Sequence, residues 1–218
     1  MEIFDLYLPA DLGRQAYGLA VYIHAGGFTS GDKSDEAGMR AWLRGQGYGA
    51  AGINYTLQTD HNEAGVLSQS QEIKSPIPEV VKAAEDAGYP IRNMVIGGGS
   101  AGGTQAMLYA CRNGEDAPVP LKFVFEALDP SSFERRDWHT YGLDKNSAES
   151  RAAAAGLFGT ILEKEIDPSI LDTPEYQELV KLISGYMWIT PVTDPTVIAY
   201  GTRDKVCPLT APDIWCRP

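Results

Sequence analysis

The chain has 218 residues, 44% of them hydrophobic and 22% charged, with a formal net charge of −11. That length suits one domain with a substantial core, and the composition is that of an ordinary soluble globular protein. The acidic balance argues against nucleic acid or an anionic membrane surface as a partner. Nothing resembles a signal peptide or a membrane span. Three cysteines without a framework, Cys111, Cys207 and Cys216, point to a reducing, cytoplasmic setting.

In chain order, residues 3–8 and 19–23 read as strands. Residues 36–44 read as a helix expected to bury Met39, Trp42 and Leu43. Residues 50–54 form a small-residue strand, followed by a loop around 56–62. Ile77, Val80, Val81 and Ala84 recur at helical spacing and predict a helix over 76–87. A strand at 94–97, a helix from Gly102 and a strand at 121–125 continue the alternation, which argues for a parallel sheet. Between 129 and 189 the pattern changes. Residues 147–158 are Ala-rich and helical, and Asp167-Pro168 and Thr173-Pro174 mark two helix starts. A further strand follows at 195–200. The tail 209–218 has neither period and contains two prolines.

Three loops carry chemistry. Gly98-Gly99-Ser100-Ala101-Gly102 is a G-x-S-x-G between a strand and a helix, the pattern of a nucleophile elbow that lifts a serine hydroxyl off the sheet. Ile23-His24-Ala25-Gly26-Gly27-Phe28 follows the strand 19–23. Glycines there let backbone N–H groups approach the oxygen that becomes negative during acyl transfer. Gly26, Gly27 and Ala101 are the expected oxyanion donors, and Ser100 is the expected nucleophile. Gly201-Thr202-Arg203-Asp204 follows the strand 195–200. Open parallel sheets put their working residues past the carboxyl ends of the strands, so Asp204 is the expected acid of a Ser…Asp…His order. Asp194 is weaker, since it precedes its strand. No metal-ligand spacing and no phosphate loop is present, and neither metal nor cofactor is expected.

These residues resemble the α/β-hydrolase superfamily and, more narrowly, the bacterial carboxylesterase/lipase branch related to hormone-sensitive lipase. The carriers are His24-Ala25-Gly26-Gly27, with Ala25 departing from the usual His-Gly-Gly-Gly, Gly98–Gly103, and Gly201–Asp204 with Val206. The resemblance spans residues 2–208. It implies a single domain over 1–218, with a mostly parallel doubly wound sheet and a helical cap insert at about 130–189. It also implies a serine ester hydrolase whose base is a histidine well beyond the acid. Only fourteen residues follow Asp204, so the last strand and helix are expected to be lacking. The sheet edge at 196–200 is then exposed, which predicts a homo-oligomer that covers it.

The chain holds three histidines. His24 belongs to the oxyanion motif, where the resemblance gives it a bracing role. His61 sits in a polar loop and reads as solvated. His139, in the insert, is the only replacement base worth considering. Cys207 reads as packing. The insert aromatics Phe133, Trp138, Tyr141, Tyr186 and Trp188 either line an acyl or alcohol pocket or pack the insert onto the sheet. The expected function is hydrolysis of short-chain carboxylic esters, a small-molecule substrate class, through an acyl-enzyme. The missing histidine weakens or abolishes that activity. The alternative is a non-catalytic, hydrolase-like ligand-binding protein. A peptidase of the prolyl-oligopeptidase kind shares the triad order, but no feature here asks for an amide leaving group.

Overall fold

A computed structural model describes residues 3–10, 18–59, 61–62, 64–130 and 132–204. The tail, Cys207 and Cys216 lie outside the described residues. Six strands form one sheet: β1 (Phe4–Tyr7), β2 (Gly18–Ile23), β3 (Gly49–Ile53), β4 (Asn93–Gly99), β5 (Leu121–Ala127) and β6 (Thr196–Ala199). Their order is β1-β3-β2-β4-β5-β6. β1 is antiparallel to β3, and every other pair is parallel.

This order has one reversal. From β2 the chain steps to β3 on one side, and β4 leads to β5 on the other. The crevice beyond the carboxyl ends of β2 and β4 is the switch point where α/β sheets bind ligands. Ile23 is in register with Gly98, so the loop after β2 and the turn after β4 leave the sheet side by side.

Among the described residues there are six α-helices: α1 (Ala37–Gly45), α2 (Val66–Lys74), α3 (Pro76–Asp86), α4 (Ala101–Asn113), α5 (Ala148–Leu162) and α6 (Pro174–Lys181). Pro76 starts α3, where its missing N–H costs nothing, and the expected Ile77, Val80, Val81 and Ala84 are buried. They join Leu19, Val21, Ile23, Ile53 and Ile96 in the main core. α5 and α6 build a second core around Phe133, Trp138, Phe158 and Tyr176, which Phe28 and Ala101 also enter. Phe133 and Trp138 are therefore packing residues. Ser147 Oγ accepts from Ser150 N–H at the start of α5. Asp167 accepts from Ser169 N–H, but it opens only the short 3-10 turn Pro168–Ile170.

Two expectations need correction. α1 does not bury Trp42, which is 61% exposed; it buries Arg40. The sheet under α1 presents Tyr7 and Gly52, a flat floor for a guanidinium. Arg40 lies over the Tyr7 ring, and a Cβ at Gly52 would stand 2.7 Å from its Nη1. Helix α2 was not expected at all. Its buried face is Val66, Gln69, Ser70 and Ile73, and the two polar residues mask the apolar period. At the far side of the sheet, β6 pairs only with β5 among the described residues. Val197 on that edge is 52% exposed. No helix among the described residues is long and apolar enough to cross a membrane.

Candidate active site

Ser100 has φ 50° and ψ −122°, a conformation that costs a non-glycine residue on the order of 1–3 kcal/mol. The surroundings hold it there. Its N–H donates to the Ala127 carbonyl at 2.7 Å, which ties the turn to β5. A Cβ at Gly98 would lie 2.4 Å from the Gly102 carbonyl carbon and 2.6 Å from the Ile23 oxygen. A Cβ at Gly102 would lie 2.1 Å from the Ile23 oxygen. The turn is as tight as the motif requires, and only glycine fits at those two positions. The Ser100 hydroxyl makes no hydrogen bond among the described residues. Ala101 opens α4, so its N–H has no partner within the helix and adds to the positive end of the helix dipole.

The loop after β2 supplies the facing wall. Gly26, Gly27 and Phe28 have φ values of 123°, 60° and 69°. The Gly26 carbonyl accepts from Thr29 N–H at 3.1 Å and Ser30 N–H at 3.0 Å, which closes the loop on itself. At Gly26 a Cβ would meet the Ser30 oxygen at 2.0 Å, whereas at Gly27 nothing lies within 4 Å. Gly27 thus borders open space. His24 lies just before, buried. Its Nδ1 is 2.7 Å from the Ala25 carbonyl, and its ring stacks on Tyr55 at 4.3 Å and 12°. Tyr55 donates its hydroxyl to the His24 carbonyl at 3.2 Å. This is the geometry of a brace.

Asp204 lies beyond β6, on a turn closed by its own N–H to the Gly201 carbonyl at 3.2 Å. β6 is two strands from β4, so the two loops are about 10 Å apart at their roots. Ala127, Leu128 and residues 199–204 line an open cleft of about 510 Å³ at the ends of β5 and β6. Sequence reasoning missed the group that anchors this side. Glu126, on β5, is fully buried beside Asp129. Burial first, then the charge of the adjoining Asp129 carboxyl, raise the Glu126 pKa far above the usual carboxylate range. It stays protonated at neutral pH, and its Oε2 accepts from the Asp129 N–H at 3.4 Å. Tyr200 donates its hydroxyl to the Asp129 carboxylate and to its carbonyl. The end of β5 and the Asp204 loop are thereby locked together.

The other candidates lie elsewhere. His61 is exposed. His139 is exposed in the 3-10 turn Arg135–Tyr141, with Nδ1 3.1 Å from the Arg136 carbonyl. No imidazole reaches the Ser100 hydroxyl among the described residues. Asp194 precedes β6 at the opposite end of the sheet. It borders a cavity of about 250 Å³ with Cys111 and Arg112, and burial, helped by its charge, pushes the Cys111 thiol up to about 12. Among the described residues no group of three or more His, Cys, Asp or Glu could hold a metal.

The BD-FAE family model matches residues 4–213. The chain belongs to the BD-FAE family. Solved structures similar to this BD-FAE chain are esterases, and they show its fold to be that of the α/β-hydrolases. Esterase Est2 from the planctomycete Thermogutta terrifontis is 20% identical with a TM-score of 0.70; the match covers 97% of this chain and 70% of that one. Esterase B from Lactobacillus rhamnosis is 19% identical, with a TM-score of 0.61 over 99% of this chain and 76% of that one. Carboxyl esterase 2 from the fungus Tuber melanosporum is 16% identical, with a TM-score of 0.66 over 97% of this chain and 64% of that one. No curated protein matches the chain.

Proposed function

We propose that this BD-FAE chain is a serine carboxylesterase of short-chain esters. In this reading Ser100 Oγ attacks the ester carbonyl, and the alcohol leaves as an acyl-enzyme forms. The N–H groups of Gly26, Gly27 and Ala101 hold the oxyanion, each such donor being worth on the order of 3 kcal/mol. Asp204 is the acid that orients an imidazole base in such a mechanism; the described residues bring none to Ser100, so the Ser100 proton passes to water or to added imidazole. One observation carries the reading: Ser100 is held at φ 50° beside a loop with three consecutive left-handed residues. A site that only binds ligand has no use for backbone strain on both sides of one hydroxyl. The structural neighbours support it, among them Est2 bound to butyrate and Est2 phosphonylated by sarin. Three cysteines without a framework suit a cytoplasmic enzyme.

A second reading, a hydrolase-like ligand-binding protein, is favoured by one fact: no imidazole reaches Ser100 among the described residues. Hydrolysis of p-nitrophenyl acetate and butyrate separates the two, with Ser100→Ala alongside and free imidazole added as an external base. The esterase reading expects an acyl-enzyme burst that imidazole enhances and Ser100→Ala removes. Without a base, the hole and binding alone leave an acceleration on the order of 10³ over water. Turnover undiminished in Ser100→Ala refutes the serine mechanism. No turnover above that variant, even with imidazole, favours the binding protein.

A further inference from the structure

The side-chain amides of Gln69 and Gln105 are fully buried, and the chemistry proposed above uses neither. Gln69, on α2, donates from Nε2 to the Phe28 and Thr56 carbonyls, each at 2.9 Å. Gln105, on α4, donates from Nε2 to Gln69 Oε1 at 3.2 Å and to the Val66 carbonyl at 3.4 Å. Every main-chain group facing these amides is an acceptor. Reversing either amide sets oxygen against oxygen, so the direction of the chain of bonds is forced.

The chain of bonds ends on a strained residue. Phe28 is not glycine, yet its φ is 69°. Its carbonyl takes a second donor, Gln58 N–H, at 2.9 Å. A left-handed non-glycine residue such as Phe28 is held only where its surroundings over-determine it. At its other end the chain of bonds starts on the helix that Ala101 opens.

We infer that Gln69 and Gln105 form a positioning relay. It fixes the Gly26–Phe28 loop against the nucleophile helix, so that Ser100 and the oxyanion N–H groups keep one spacing. The inference rests on the serine-esterase reading. Neither glutamine touches reacting atoms. The chemistry needs this because the donors must lie within a window about 0.4 Å wide, roughly 2.7–3.1 Å from the developing oxyanion, and they come from two separate loops. α4 carries Ala101 directly. The loop after β2 is tied to α4 through these two amides. If the two residues served only to fill the core, methionines of similar shape would do as well, and nothing would require the bonds.

The test is the double variant Gln69→Met/Gln105→Met. Replacing both glutamines leaves neither amide of the pair orphaned, and the Phe28 carbonyl keeps the Gln58 N–H, while the Thr56 carbonyl loses the Gln69 donor at some cost in stability. The Thr29, Ser30 and Gln58 amides report the loop, since their acceptors are Gly26 and Phe28. Ile96, buried in β4, is the reference. Hydrogen exchange at the three loop amides should quicken at least tenfold with Ile96 unchanged. Acylation by p-nitrophenyl acetate should slow roughly 10- to 100-fold, the penalty of a misplacement near 1 Å, with KM within about twofold. Unchanged exchange at the loop overturns the relay, and so does a loosened loop with unchanged acylation. If Ser100→Ala keeps the parent's acylation rate, the serine reading falls by itself, and exchange alone then judges the relay. Should Ile96 also loosen, Gln69→Asn, one methylene shorter and still an amide, is read by the same criteria.

Discussion

Gly102→Ala places one methyl group at the tightest point of the site. A Cβ there lies 2.1 Å from the Ile23 oxygen and 2.7 Å from the His24 oxygen, where real Cβ contacts stay at 3.0 Å or more. Relief therefore requires a shift of about 0.9 Å, the difference between 3.0 and 2.1 Å. No side chain can rotate away, because both obstacles are backbone. Ile23 is fully buried and in register with Gly98, so moving its carbonyl strains the β2–β4 ladder. Overpacking of this kind costs roughly 1–3 kcal/mol and sometimes more. With backbone on the obstructing side, a loss of about 3 kcal/mol is expected, a large share of a typical domain's roughly 5–15 kcal/mol. A shift near 1 Å between elbow and oxyanion loop also costs about 10²-fold in acylation. Two controls set the sign. Gly156→Ala, inside α5 with nothing within 4 Å, should gain about 0.5–1 kcal/mol. Gly27→Ala also meets open space, but at φ 60°, and should lose about 1–2 kcal/mol. Urea unfolding followed by circular dichroism measures all three. Gly102→Ala within about 1 kcal/mol of the parent refutes the packed elbow.

Two further predictions concern the far side of the cleft. Burial beside Asp129 raises the Glu126 pKa on folding, far above the ordinary carboxylate value of 4.5. Above that ordinary value the unfolded chain is ionised there while the folded one keeps its proton. Stability is thus fully present below about 4.5 and falls as pH rises through neutrality, by at most about 1.4 kcal/mol per pH unit. Glu126→Gln, neutral at every pH and of the same shape, should flatten the urea midpoint between pH 5 and pH 9; parallel profiles in parent and variant refute the assignment. We also expect self-association across the β6 edge, where Val197 is half exposed. Val197→Lys should then convert a dimer into a monomer by light scattering, and a parent chain that is already monomeric at high concentration defeats the idea.

What could be read from the sequence is what backbone geometry dictates. Gly26, Gly98 and Gly102 stand where a Cβ would collide with main-chain atoms, so their chemistry is local and visible as a motif. The strands were legible for a related reason, since buried parallel strands need continuous small or apolar residues, as in Gly49–Ile53. Three features were hidden. Arg40 took the buried place on α1 because Gly52 and Tyr7, distant in sequence, make a floor for it. Glu126 lies just past the expected strand 121–125, and its neutrality depends on burial and on the charge of Asp129, which only the fold brings together. Helix α2 was lost because Gln69 and Ser70 occupy core positions.

That last omission bears on function. A polar residue in a core position breaks the local rule for a helix and must be compensated by partners that only the folded chain brings near. For Gln69 those partners are the carbonyls of Phe28 and Thr56 and the amide of Gln105. One of them is the strained residue that ends the oxyanion loop, and another sits on the helix that Ala101 opens. An apolar residue at position 69 would make α2 a better amphipathic helix and would leave the Phe28 carbonyl with one donor fewer. The place where the helix pattern fails is therefore where the two halves of the candidate site are joined, and the cost to local regularity is the sign that the join has a use.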